Sequence, residues 1–460
     1  MMSQSSPVVR VRCSLALLLL ASILGACAAS ASEVKEFALD NGLKLIVKPD
    51  HRAPVVVSQV WYRVGSSYER PGITGVSHML EHMMFKGSER LQPGEFSRII
   101  ADNGGRENAF TGRDFTAYYQ HLEKSRLAIS FELEAERMGH LQLSAEALQT
   151  ERQVVLEERR LRTDDNPQAL THEHFLATAF LQSPYRHPII GWQNDIKSYR
   201  LESLEQWYQR WYAPNNAVVV VVGDVDPQAV RTLAQRYFGP LKPAPAATIA
   251  SVQESAQFGP KRIEVRRPAT VSYLLMGYKV PSLATAARWE AYALEVLAEL
   301  LDGDESARLP RRLVRGQSLA ASVSVSYDLY DRLGTLFEFA AIPNPNTSID
   351  VLESALREEV ARIQREPVSP RELERVKARA VAEEVYARDS LFYQAMKLGR
   401  VETVGIGWQE AEMFMERVNA ITAAQVQEVA REYLVNENLT VALLRPQRLT
   451  GSAGEAGDAL

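Results

Sequence analysis

Residues 78–82 read His-Met-Leu-Glu-His. In a helix, positions four apart stand one turn above each other, so His78 and His82 can present their imidazoles to one metal ion. Glu81 follows His78 by three residues, stays on the same side of the helix and is placed to take a proton from water at that metal. Zinc suits such a site, because it accepts imidazole and carboxylate ligands, acidifies water and polarises a scissile carbonyl. The glutamate precedes the second histidine, which inverts the commoner HExxH motif. A structural reading competes: His78, Glu81, His82 and Phe85 fall at i, i+3, i+4 and i+7, the spacing of a core-facing stripe. Three polar groups on such a stripe are costly to bury without partners, which favours a metal centre holding one zinc per chain.

A third ligand must come from elsewhere. Residues 151–158 read Glu-Arg-Gln-Val-Val-Leu-Glu-Glu. Glu151 and Glu158 are seven apart, so in a helix both carboxylates face one way, about 10.5 Å apart along the axis. Val154 and Val155 complete that face, which is expected to look inward. Glu158 is the candidate metal ligand, and Glu151 a supporting or secondary active-site acid. Glu157, the rival ligand, points about 100° away. His172-Glu173-His174 resembles a ligand cluster, but residues two apart on a helix point about 200° apart, so an exposed helix is expected.

These groups need elements to hold them. Phe37 to Val47 alternates around Asp40-Asn41-Gly42, which reads as a hairpin. Val55 to Val64 is a second strand candidate, and the motif lies on a helix from about Thr74 to Phe85 with Thr74 as N-cap. Asn108 to His121 is strand-like, Lys124 to Leu141 and Ala145 to Arg162 are amphipathic helices, and Ala217 to Val222 is an apolar strand. The composition between Leu241 and Gln257 shifts to Pro, Ala, Ser and Thr, the signature of a linker. Beyond it the theme repeats. Tyr212 to Asn216 leads into the strand Ala217 to Val222, as Tyr433 to Asn438 leads into Leu439 to Leu444. The expected organisation is an N-terminal zinc-binding domain over 33–240, a linker over 241–257, a related C-terminal domain over 258–449 and a disordered tail over 450–460.

The chain has 460 residues, 46% of them hydrophobic and 24% charged, enough for more than one core. Formal charge is −5, and without the two arginines of the first 27 residues it is −7, with no basic patch to bind nucleic acid. Arg10 and Arg12 precede a short apolar run, Ser14 to Leu24, the pattern of a targeting segment over 1–27. Ala29-Ser30-Ala31 fits ordinary signal cleavage, whereas Leu24-Gly25-Ala26-Cys27 looks like a bacterial lipobox with Cys27 as the acylated residue. Either route exports the chain to the bacterial periplasm, the second as an outer-membrane lipoprotein. Cys13 and Cys27 are the only cysteines, so the exported part has neither disulfides nor a thiol nucleophile.

The run Gly75-Val76-Ser77-His78-Met79-Leu80-Glu81-His82-Met83-Met84-Phe85-Lys86-Gly87-Ser88, with Gly72 before it, resembles the signature of the pitrilysin, insulinase and mitochondrial processing peptidase family. Glu151-Arg152 with Glu158 resembles that family's second zinc-ligand segment. Asn108-Ala109-Phe110-Thr111 resembles its edge strand, on which a peptide substrate adds as an extra strand, a mode that favours extended or unfolded peptides. The resemblance implies an α+β fold of two homologous domains, each a mostly antiparallel β-sheet with packed helices, together forming half of a clamshell. Catalytically complete members carry an Arg and a Tyr seven residues apart in the second domain of one half. Here Val314 and Ala321 stand at those positions. A paralogous partner subunit bearing the pair is therefore expected, with a homodimer as the alternative. Two functions compete with the zinc endopeptidase: a non-catalytic assembly or scaffold subunit of the same fold, and a metal-dependent hydrolase of a non-peptide substrate, against which the family resemblance and the edge strand argue.

Overall fold

A computed structural model describes residues 34–245 and 252–447. The targeting segment with Cys27, the tail and positions 246–251 of the expected linker lie outside the described residues. The first sheet contains β1 (Lys35–Ala38), β2 (Lys44–Pro49), β3 (Val55–Tyr62), β4 (Arg106–Thr111), β5 (Thr116–Glu123) and β6 (Ala217–Gly223) in the order β1-β2-β6-β3-β5-β4. The second contains β7 (Lys261–Pro268), β8 (Tyr273–Val280), β9 (Ala320–Ser326), β10 (Thr335–Pro343) and β11 (Leu439–Gln447) in the order β7-β11-β8-β10-β9. In each sheet the last strand in the chain runs parallel to the early strand on one side, β6 to β2 and β11 to β7, and all other pairings are antiparallel. The two halves thus share one topology. The segment expected to be one strand, Asn108 to His121, is a hairpin of β4 and β5 that turns at Gly112 to Phe115.

The valine run of β6 is buried on both faces. Val219 and Val221 join the main core of the first half, with Val60 of β3 and Met79, Leu80 and Met83 of the motif helix Val76–Met83. Val218, Val220 and Val222 point the other way and meet Ala395 and Leu398. Those two residues belong to the helix Leu391–Thr403, which comes from the second half of the chain. The exchange is reciprocal. The helix Pro167–Ala179, from the first half, lays Phe175, Leu176 and Ala179 on Leu275 and Ala442 of the second sheet. Each crossing helix docks through a glycine contact: a Cβ on Gly399 would stand 2.2 Å from the Trp61 indole nitrogen, and one on Gly277 2.5 Å from the Phe175 ring.

Polar contacts reinforce this join. The buried Asp114 carboxylate accepts from Ser67 Oγ at 2.6 Å and from Tyr185 on its own side, and from Arg332 N and Nε at 3.1 Å across the interface. Glu254, inside the expected linker, accepts from the backbone N–H groups of Leu181, Gln182 and Ser183 at 2.8–2.9 Å and from Lys279 Nζ at 2.6 Å. That part of the linker is tied to both halves. No helix among the described residues is long and apolar enough to cross a membrane.

Candidate metal centre

The motif helix begins one residue later than expected. Its N-cap is Gly75, at φ 83°, and no side chain of the cap residue caps it. Glu69 does that work from a distance: its buried carboxylate accepts from Gly75 N at 2.5 Å and Ser77 N at 2.8 Å, filling the positive end of the helix. Thr74 instead donates its hydroxyl to Asp195 Oδ2 at 2.6 Å. Gly75 is required twice over, by its positive φ and by Ile190 O, which would lie 2.3 Å from a Cβ.

The core side of this helix carries Met79, Leu80 and Met83, which leaves His78, Glu81 and His82 facing a cleft of about 850 Å³. Opposite them runs the helix Ala145–Arg159, capped by Ser144 Oγ accepting from Ala147 N. It presents Glu158 Oε2 3.7 Å from His78 Nε2 and 3.4 Å from His82 Nε2. One ligand atom from each of the three residues lies within 4.8 Å of the others, and no other such group occurs among the described residues. The donor set fits zinc: two imidazole nitrogens and one carboxylate oxygen converge, with the cleft open on the remaining side. Glu157 turns away and pairs with Arg160 at 2.5 Å.

Neighbouring groups fix the set. Glu151 Oε2 stands 3.2 Å from His82 Nδ1, and its other oxygen holds Lys86 Nζ at 2.6 Å. The Glu151 contact orients the His82 ring so that Nε2 faces the convergence point. Arg162, one turn after Glu158, holds Oε1 of that residue at 2.6 Å. Burial, and then the neighbouring His82, push the His78 imidazole down to about 4, so it is neutral and able to ligate. For His82, burial pulls the other way but Glu158 and Glu151 outweigh it and raise its affinity for a proton. The hydrogen bond from His82 leads in holding Glu158 below the usual carboxylate range. Burial raises Glu81, whose Oε2 accepts from Thr111 Oγ1 at 2.5 Å.

Thr111 ends β4, an edge strand whose Asn108, Ala109 and Phe110 pair with Tyr119, Tyr118 and Ala117 on one side only. All three line the cleft beside the motif. Val154 corrects an expectation: it is 45% exposed and lines the cleft, while Val155 faces the core. So does Glu173, which is buried and gripped by Arg159 through two 2.8 Å bonds rather than exposed. Its neighbour His172 also lines the cleft, 3.1 Å from Glu338. Lys86, Arg162 and Glu69 were not singled out in the sequence. The first two stand four residues after His82 and Glu158, a spacing that places them beside those residues.

In the second half, the helix Arg288–Asp302 follows β8 as the motif helix follows β3. Aligning Gly303 with Gly87 places Leu294, Leu297 and Ala298 where His78, Glu81 and His82 stand. Val314 packs against the core, and Ala321 lies exposed on β9.

Two sheets of one topology carry a single candidate metal centre among the described residues, and sequence comparison places the chain. The profile of insulinase (peptidase family M16) matches residues 44–192, and that of the peptidase M16 inactive domain matches 198–380. The zinc protease PqqE of Helicobacter pylori is 34% identical over 343 residues, covering 74% of this chain and 76% of the relative. The uncharacterised zinc protease YmxG of Bacillus subtilis is 24% identical, covering 90% and 98%. A crystal structure of a protease from Helicobacter pylori superposes with a TM-score of 0.85 at 30% identity, covering 90% of this chain and all of that one. The periplasmic protease PqqL of Escherichia coli gives a TM-score of 0.77 at 21% identity, over 91% of this chain but 48% of PqqL. The chain belongs to the M16 family of peptidases.

Proposed function

We propose that this chain is a zinc-dependent endopeptidase that cleaves extended or unfolded peptides, acting as the zinc-bearing subunit of a two-subunit clamshell. The convergence of His78 Nε2, His82 Nε2 and Glu158 Oε2 beside Glu81 carries the reading. Zinc held by these three residues supplies Lewis acidity, polarising the scissile carbonyl and acidifying water. Glu81 acts as general base at its carboxylate, accepting a proton as water oxygen bonds to the carbonyl carbon. It returns that proton to the leaving amine as the C–N bond breaks. Glu151 keeps the His82 ring in place. The open edge of β4, at Asn108, Ala109 and Phe110, takes the substrate backbone as an added strand, which holds the scissile bond against Glu81.

Two observations support a partner. Val314 and Ala321 offer neither a guanidinium nor a phenol for the carbonyl, and this chain matches 94% of the first half of PqqL but about half of the whole. A paralogue bearing the Arg/Tyr pair would complete the enclosure, with a homodimer as the alternative. We assign 33–240 and 258–449 as the two domains, joined by 241–257. We place the protein in the bacterial periplasm, with Cys27 as a site for a lipid anchor; PqqL is named a periplasmic protease.

The test is zinc content with peptide hydrolysis, on the exported chain alone and mixed with an Arg/Tyr-bearing paralogue. About one zinc per chain, with cleavage in the mixture that Glu81→Gln abolishes, is the expected result. Full activity of the chain alone would remove the partner. Absence of zinc and of cleavage would leave the scaffold reading.

A further inference from the structure

We propose that the cleft selects peptides with an acidic side chain close to the scissile bond and rejects basic ones at that position, an inference that rests on the peptidase reading. The carboxylates lining the cleft are Glu81, Glu158 and Glu173. Each is already engaged. Glu81 accepts from Thr111, Glu158 faces two imidazoles and holds Arg162, and Glu173 is paired with Arg159. A lysine or arginine on the substrate therefore meets no carboxylate free to receive it.

The cations differ. Arg113 lines the cleft two residues beyond Thr111, just past the end of β4 that touches Glu81. Its NH1 lies 3.7 Å from Asp331 Oδ2, too long for a hydrogen bond, and Asp331 is shared with Arg400 at 3.7 Å and the Thr335 hydroxyl at 2.7 Å. Arg400 has Asp328 as its nearer partner, and the distance to Asp331 leaves Arg113 NH1 without a hydrogen bond to that carboxylate, so its N–H groups there can turn to a substrate carboxylate. The Arg113 guanidinium also lies 5.0 Å from the centre of the Tyr185 ring, which orients it without neutralising it. Arg162 adds a second cation, its partner Glu158 being the residue that would share its charge with zinc. Val154, Leu176, Ile189 and Ile190 add apolar lining to the cleft, and Arg113, unlike the exposed Arg162, is sheltered enough for its field to be screened less than in open water. A strand laid on β4 thus brings the residue just past the scissile bond, on the side beyond Thr111, towards Arg113.

The test uses the zinc-loaded full chain carrying Glu81→Gln, which prevents turnover, and fluorescein-labelled extended peptides. The peptides differ only in having Asp, Asn or Lys at each position flanking a central bond. At one flanking position Asp should bind more tightly than Lys by about 10-fold, the scale of one partly desolvated ion pair. The difference should shrink at high salt, vanish in Arg113→Gln and persist in Arg113→Lys. Equal affinities, tighter binding of Lys, or no binding by any peptide would overturn the proposal. Failure of the wild-type zinc-loaded chain, with or without its paralogue, to cleave any of these peptides would instead overturn the peptidase reading, since binding is measured apart from cleavage.

Discussion

Thr111 Oγ1 lies 2.5 Å from Glu81 Oε2, a hydrogen bond that ties the edge strand to the motif helix. The proposed base is therefore held by the same strand that would hold the substrate. A shift of β4 moves both together.

Thr111→Val keeps the shape of the side chain and removes the hydroxyl. A lost hydrogen bond to a charged partner is worth about 1.5–3 kcal/mol, so kcat should fall by at least about 10-fold with KM little changed. Thr111→Ser should keep most of the activity. Steady-state kinetics on one fluorogenic peptide checks both.

Glu151 touches both His82 and Lys86. Glu151→Gln keeps its size but leaves the lysine without its counter-charge and loosens the ring. Zinc affinity, measured by competition with a chelator, should drop by about 10–100-fold while far-UV circular dichroism stays unchanged.

Glu254 provides a pH signature away from the metal. Burial works to raise its pKa, but the N–H groups of Leu181, Ser183 and Gln182 together with Lys279 outweigh it and hold the carboxyl down to about 2. The folded value lies below the unfolded one, so its contribution is present above about pH 4.5 and disappears as pH falls towards 2. Urea unfolding should show Glu254→Gln to be less stable than wild type by about 2–3 kcal/mol at pH 7, with the gap closing near pH 2.

Gly399 sits where a methyl group would meet the Trp61 indole at 2.2 Å. Alanine favours a helix by about 1 kcal/mol, but overpacking a buried aromatic costs about 1–3 kcal/mol. Gly399→Ala should lower Tm and alter the near-ultraviolet signal of Trp61, since the crossing helix must lift from β3.

The cluster of His78, His82 and Glu158 was legible because the spacing is local: the histidines are one turn apart, and Glu158 stands two turns after its supporting residue Glu151. The valine run of β6 was legible for the same reason, as were the paired ends of the two halves. Thr74 was misread as a cap because the group that caps the helix, Glu69, lies six residues before the cap position and reaches it through an irregular loop that follows no helical spacing. Val154 was expected to look inward because a helix face seen alone does not reveal an adjoining cleft. Gly112 and Asp114 mark the turn at Gly112 to Phe115, but the strand-favouring residues close on both sides of them masked it. The crossing of the two helices could not be read, because a helix's sequence does not state which half of the chain it covers.

The exchange of the helices Pro167–Ala179 and Leu391–Thr403 bears on how such a chain persists. Each half leaves to the other the cover of one sheet face, so neither can be lost or replaced without baring a valine-rich or leucine-rich surface to water. A second half with Leu294, Leu297 and Ala298 at the positions that match His78, Glu81 and His82 needs no such cluster to be retained. What it supplies is cover for the back of the first sheet, and that duty holds whatever side chains stand at the positions matching the motif.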